Sequence, residues 1–172
     1  MNNRITIYSA RCRGKASNCI YPDKHVITNV EELAEAVTKD NVCAKYRGDY
    51  RTNDNFISSD CMPFDCDNDH SDDPEDWVTP EDVQNAFPGV PFYVIYSRSH
   101  ERYKKGQTPR PRFHVYFPID EIKSLDDYTA LKQSVINFFP YFDKNAKDGA
   151  RFFFGVDEPK VEFYGGDVHE VK

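Results

Sequence analysis

At 172 residues and 20.0 kDa, with 39% hydrophobic and 15% aromatic content, the chain fits one domain with a real core. A mean hydropathy of -0.74 and the lack of any apolar run near roughly 18 residues exclude a membrane-spanning helix. Met1-Asn2-Asn3-Arg4 opens no signal-like apolar stretch, so a cytoplasmic protein is expected. The net charge of -7 argues against a uniformly basic nucleic-acid coat, but it is unevenly spread. Asp65 to Asp76 holds seven carboxylates and no Lys or Arg, whereas Arg98 to Arg112 holds six basic residues against Glu101 alone. Local sign governs binding, because salt screens charges beyond roughly 8 Å.

In chain order, strands are expected at Ile5–Ser9, Cys43–Tyr46, Met62–Asp67, Phe92–Ser97, Arg112–Pro118, Arg151–Phe154 and Val161–Tyr164. Thr28-Asn29-Val30-Glu31 reads as a capping box opening a helix to about Thr38. Thr79-Pro80-Glu81-Asp82 starts a short helix to about Phe87, with proline at the first helical position. Ser124 caps a helix from Leu125 to Phe138, on which Leu131, Val135 and Phe138 recur at helical spacing. Strands and helices do not alternate strictly. That favours an α+β fold with a mixed, largely antiparallel sheet and flanking helices. The whole of 1–172 reads as one domain, an N-terminal part (1–59) joined to a motif-bearing core (60–156). The five cysteines form no C-x-x-C pair and read as free thiols.

Three clusters carry chemistry. In Phe64-Asp65-Cys66-Asp67 the two acids share one face of a strand, roughly 7 Å apart, and repel unless a cation lies between them. Such hard oxygens suit Mg²⁺ or Mn²⁺. A calcium loop fails here, because His70 holds the place that needs glycine. In Arg112-Phe113-His114-Val115-Tyr116-Phe117-Pro118, alternation puts Phe113, Val115 and Phe117 on one face. Arg112, His114 and Tyr116 fall on the other, expected to line a groove. The preceding segment, with Arg98, His100, Arg102, Lys104, Lys105 and Arg110, reads as a flexible basic flap suited to a polyanion. The third cluster runs from Asp143 through Lys144, Lys147 and Asp148 to Arg151-Phe152-Phe153-Phe154-Gly155.

Taken together, these motifs resemble the archaeo-eukaryotic primase superfamily, in particular the small primase-polymerase domains of phages, plasmids and mobile elements. Asp65-Cys66-Asp67 is similar to the family's acid pair, and Arg112 to Pro118 to its histidine strand. Asp143 before Arg151-Phe152-Phe153-Phe154-Gly155 is similar to its third motif. The serine that commonly precedes the histidine is displaced to Ser97 or Ser99, which leaves His100 a rival to His114, as Asp148 is to Asp143.

The resemblance implies an RRM-like catalytic core and template-directed nucleotidyl transfer from nucleoside triphosphates on a single-stranded DNA template or primer-template. It implies Asp65, Asp67 and Asp143 as catalytic residues and ligands of Mg²⁺ or Mn²⁺. His114, Arg112, Arg151, Lys144 and Lys147 would contact the nucleotide. Arg98, His100, Arg102, Lys104, Lys105 and Arg110 would contact nucleic acid, and a helicase or accessory priming domain is a partner to expect. Two alternatives stay open: a rolling-circle replication endonuclease, and a non-catalytic nucleic-acid-binding module.

Overall fold

The computed structural model describes residues 2–165 and 168–172. In chain order these form β1 (Ile5–Ser9), β2 (Asp23–Ile27), α1 (Val30–Ala36), β3 (Asn41–Val42), β4 (Lys45–Tyr46) and β5 (Phe56–Cys66). There follow α2 (Pro80–Ala86), β6 (Phe92–Tyr96), β7 (Phe113–Ile122), α3 (Leu125–Phe138), β8 (Phe152–Phe153), β9 (Val161–Gly165) and β10 (Val168–Val171). The fold is α+β, as expected. The strands make two antiparallel sheets rather than one, ordered β2-β1-β3-β8 and β10-β9-β6-β7-β5-β4. Among the described residues no helix is long and apolar enough to cross a membrane.

The central strands explain why their sequences are apolar at nearly every position. Met62, Phe64 and Cys66 of β5, Val94 of β6 and Phe113, Val115 and Phe117 of β7 face a layer made by α2, α3 and the Phe139–Phe142 turn. Cys61, Tyr93, Ile95 and Tyr116 face the other way, onto Ile5 and Ile7 of β1, the apolar side of α1, and Phe153 of β8. A sheet covered on both faces needs apolar side chains at odd and even positions alike. Asp65 and His114 belong to the face toward the smaller sheet, at the end where that cover runs out.

Helix starts follow their caps. In α1 the capping pair is shifted one residue from expectation. Asn29 accepts from the Glu32 N–H at 2.9 Å, and Glu32 returns to the Thr28 N–H at 2.7 Å. In α2 the Thr79 N–H donates to Asp82 at 2.8 Å, and in α3 Ser124 accepts from the Asp127 N–H at 3.2 Å. The inward face of α3 differs from the sequence reading. Tyr128, Lys132 and Ile136 are buried, Leu131 and Val135 pack at the margin, and Phe138 is 65% exposed. The real stripe lies one position further on. It was hidden because a lysine occupies its centre.

Candidate active site

β5 and β7 are antiparallel neighbours, and their register sets Asp65 directly opposite His114. Asp65 Oδ1 lies 3.0 Å from His114 Nε2, and its Oδ2 accepts from Arg151 Nη2. The same Nη2 reaches Asp143 Oδ2 at 3.3 Å. Asp143 is held here by its N–H, which donates to the Asp65 carbonyl at 2.8 Å. Its side chain also caps the 3-10 turn Lys144–Lys147, accepting from the Asn145 N–H at 2.9 Å. Arg151, at the entry to β8, therefore ties the edge of one sheet to the loop that leads into the other.

Asp67 stands just beyond the end of β5. Asn68 follows in the left-handed region (φ 54°), turning the chain away. Its buried amide bonds Val78 and the Pro111 carbonyl, which fixes the turn. Asp67 is left at the rim, with Lys104 Nζ 3.6 Å from its Oδ2.

Charge explains the ionisation of the pair. Burial pushes the Asp65 carboxyl up, but His114 and Arg151 outweigh it and hold the group below the usual carboxylate range. Asp67 goes the other way: burial, then the Asp65 charge, raise it, and Lys104 offsets only part of this. Two adjacent acids pushed apart in this way mark a place where further positive charge is favourable.

A cavity of about 370 Å³ opens over these groups. Its walls are Asp65, Asp67, His114 and Arg151, with Ser97, Arg98, Ser99, Lys104 and Lys105; Phe152, Phe153 and Phe154 complete it. The Arg98 guanidinium lies 3.9 Å from the centre of the Phe154 ring, close enough for a cation–π contact that steadies it. The aromatic run of β8 and its exit was legible in the sequence as a core strand, but its place on the cavity wall was not.

Other expected site residues stand elsewhere. Arg112 does not share the groove face with His114. It is fully buried, donating to the carbonyls of Ser99 at 3.0 Å and Arg102 at 2.8 Å and to Gln107 Oε1 at 3.3 Å. Tyr116 is also fully buried, its hydroxyl donating to Asn41 Oδ1 at 2.6 Å. Arg110 is buried against the acidic loop, bonding the carbonyls of Asn68 and Ser71 at 2.9 Å and Asp72 at 2.8 Å. These two arginines pin the segment read as a flexible flap. The reason is physical: a guanidinium carries several donors and can satisfy many loop carbonyls at once.

His100 accepts from the Arg112 N–H at 3.2 Å and packs on Tyr96, outside the cavity walls. Arg102, Lys144 and Lys147 are exposed away from those walls. Asp148 accepts from the Ala150 N–H at 3.0 Å, and it is Asp143 that shares Arg151 with Asp65.

Asp40 is a structural anchor that the sequence did not signal. It is fully buried, and its carboxylate accepts from the N–H groups of Gly14 (2.8 Å), Lys15 (2.9 Å) and Gly155 (2.8 Å). Gly155 has no room for a side chain, since a Cβ there would meet Lys39 backbone at 2.5 Å. This close approach fixes where Phe154 and the cavity wall begin.

Among the described residues no three His, Cys, Asp or Glu side chains converge as a ready-made metal cage. The expected ligands meet protein side chains instead: Asp65 meets His114 and the Arg151 guanidinium, Asp67 meets Lys104, and Asp143 meets Arg151. The donor chemistry still suits a hard divalent ion, because these are carboxylate oxygens at a cavity and Asp67 is under-compensated. No protein-family model, curated protein or solved structure matches this chain. The chemistry of the cavity is therefore read from its own residues. Acids and cations gathered at one cavity suit a ligand that is itself anionic and carries or recruits a divalent ion, such as a polyphosphate.

Proposed function

We propose that the chain is a primase-polymerase of the archaeo-eukaryotic superfamily type, transferring nucleotides from nucleoside triphosphates onto a templated strand. The observation that carries this is the meeting of three separated motifs: Asp65 and Asp67, His114 and Arg151 line one cavity, and Asp143 shares the Arg151 guanidinium with Asp65 beside it. Asp65 and Asp67, with Asp143 beside them, would hold Mg²⁺ or Mn²⁺. When bound, the metal would lower the pKa of an attacking hydroxyl and neutralise charge on the leaving group.

The chain's own groups supply the rest. Arg98, Lys104, Lys105 and Arg151 compensate the phosphate charges across the cavity. His114, braced by Asp65 and packed on Phe153, lines the same space. Phe152 to Phe154 give the cavity an apolar wall that lowers the local water density around a bound phosphate. The single-stranded template would lie along the outer side of the basic segment, where Tyr103 is 73% exposed and available for base stacking.

The test is labelled nucleotide incorporation on primed and unprimed single-stranded DNA, with Mg²⁺ and with Mn²⁺. Asp67→Asn should abolish incorporation without unfolding, because Asp67 touches only a half-exposed lysine at the rim. Undiminished incorporation by the folded variant would remove the reading.

A second reading, a nucleotide- or DNA-binding module without catalysis, is favoured by one observation: the acids are already paired with protein cations. Nucleotide-dependent DNA binding with no incorporation in Mn²⁺ would select it. The rolling-circle endonuclease reading is disfavoured, because it needs two histidines separated by one residue on a strand face, and Tyr116 stands where the second would be.

A further inference from the structure

The cations that neutralise the acid cluster are not equivalent. Lys104 meets one carboxylate, from an extended side chain at the rim. Arg151 meets two, placing one nitrogen between Asp65 and Asp143. A divalent ion bound by these acids would need the same carboxylate oxygens. A guanidinium and a metal cannot both use Asp65 Oδ2 and Asp143 Oδ2 in this arrangement.

The perch of Arg151 is also incomplete. Nη2 makes both contacts while Nε is buried with no hydrogen-bond partner among the described residues. Leaving this position would therefore relieve one unsatisfied donor, a group that buried sites rarely tolerate. The residue has somewhere to go. Its side chain is 29% exposed and lines the cavity together with Arg98, Lys104 and Lys105, where a polyphosphate would present oxygens in the geometry a guanidinium fork matches.

We propose that Arg151 is an exchangeable internal counter-ion. It closes Asp65 and Asp143 to divalent cations in the free protein and leaves them when a polyphosphate in the cavity takes its guanidinium. Metal and nucleotide then bind as a coupled pair, and by linkage each tightens the other. The inference rests on the nucleotidyl-transfer reading of this cavity. It adds how the site avoids holding metal without substrate.

The experiment is Mn²⁺ binding to the full chain with no nucleotide present, followed by loss of the free-ion electron paramagnetic resonance signal. Wild type should bind weakly. Arg151→Gln should bind about tenfold tighter or more, since a charge-assisted contact no longer has to be displaced. Arg151→Lys should stay near wild type, because the positive charge remains. Asp67→Asn should weaken Mn²⁺ binding in both the wild-type and the Gln background.

A purely structural Arg151 predicts that Gln and Lys both loosen the metal, and that result overturns the inference while leaving the cation site standing. Mn²⁺ binding indifferent to Asp67→Asn in either background removes the cation site and the nucleotidyl-transfer reading with it. If Arg151→Gln fails to fold by circular dichroism, the wild-type Arg151 Nε–H nuclear magnetic resonance signal decides instead. A shift under Mg²⁺ with inorganic tripolyphosphate, larger than under Mg²⁺ alone, supports displacement, and a signal unmoved by the two together overturns it.

Discussion

The Lys132 ammonium lies fully buried on the inner face of α3, between the rings of Phe64 (5.3 Å) and Tyr128 (5.6 Å), with no hydrogen-bond partner among the described residues. Burial pulls its pKa down from 10.5 to about 8. The sign follows directly. The unfolded chain holds this proton more tightly than the folded one, so the penalty is absent above the unfolded pKa. It grows as pH falls from 10.5 toward 8 and is complete below that. A shift of this size corresponds to roughly 3 kcal/mol, reduced in practice by the two aromatic faces.

Lys132→Met should therefore raise stability at pH 7 by about 1–3 kcal/mol in urea unfolding. The difference between variant and wild type should shrink steadily as pH rises from 8 to 10.5, vanishing above it. A constant difference across that range would show that folding does not shift the Lys132 pKa and that the ammonium stays charged in the fold. Asp65 is a different case at the same scale. Removing its carboxylate strands both Arg151 and His114, so Asp65→Ala mixes lost chemistry with lost stability, which is why Asp67 is the cleaner probe.

At the scale of elements, the segment between β6 and β7 is built around two buried arginines rather than being a loose flap. Arg112 holds Ser99, Arg102 and Gln107 and so fixes the turn that carries Lys104 and Lys105 to the cavity. Arg112→Met keeps the side-chain bulk and deletes these bonds. It should destabilise the fold by about 2–3 kcal/mol. Amide hydrogen exchange should accelerate at Arg102 and Gln107, whose N–H groups bond within the loop, and not in β1 or β2. Unchanged exchange in the loop would mean that backbone turns alone hold it.

How far sequence reached can be judged from the same elements. β1 was placed correctly by its apolar run and α3 by its Ser124 cap, although the stripe read on α3 lay one position off the buried one. β2 was missed because Asp23-Lys24-His25 is a half-exposed edge whose polar residues mask the alternation. β10 was missed for a similar reason, pairing only with β9 at the far edge. In the site, the sequence placed Asp65 and His114 on strands, but only the register of β5 on β7 shows that they stand directly opposite each other. Which arginines face a cavity and which bond carbonyls was not predictable either, because the choice depends on loop closure and not on periodicity.

For the whole molecule, the decisive quantity is the separation of charge. The net charge is -7, yet Arg98, Lys104, Lys105 and Arg151 gather at one cavity. Arg110 and Arg112, which the sequence counts in the same basic run, are internally committed and add little outside. The acidic loop behind β5 stands close to this mouth, with Asp72 already joined to Arg110. Single-stranded DNA should therefore bind weakly through few phosphates, and each released counter-ion contributes about 0.7 to the slope of log affinity against log salt. Lys104→Gln with Lys105→Gln should lower that slope by about 1.4, measured by fluorescence anisotropy on an oligonucleotide across a salt series. Arg110→Gln should leave it unaltered, because that guanidinium is enclosed by loop carbonyls. A slope equally sensitive to Arg110 would mean that the acidic loop opens on binding and that the charge count must be made over the whole basic run.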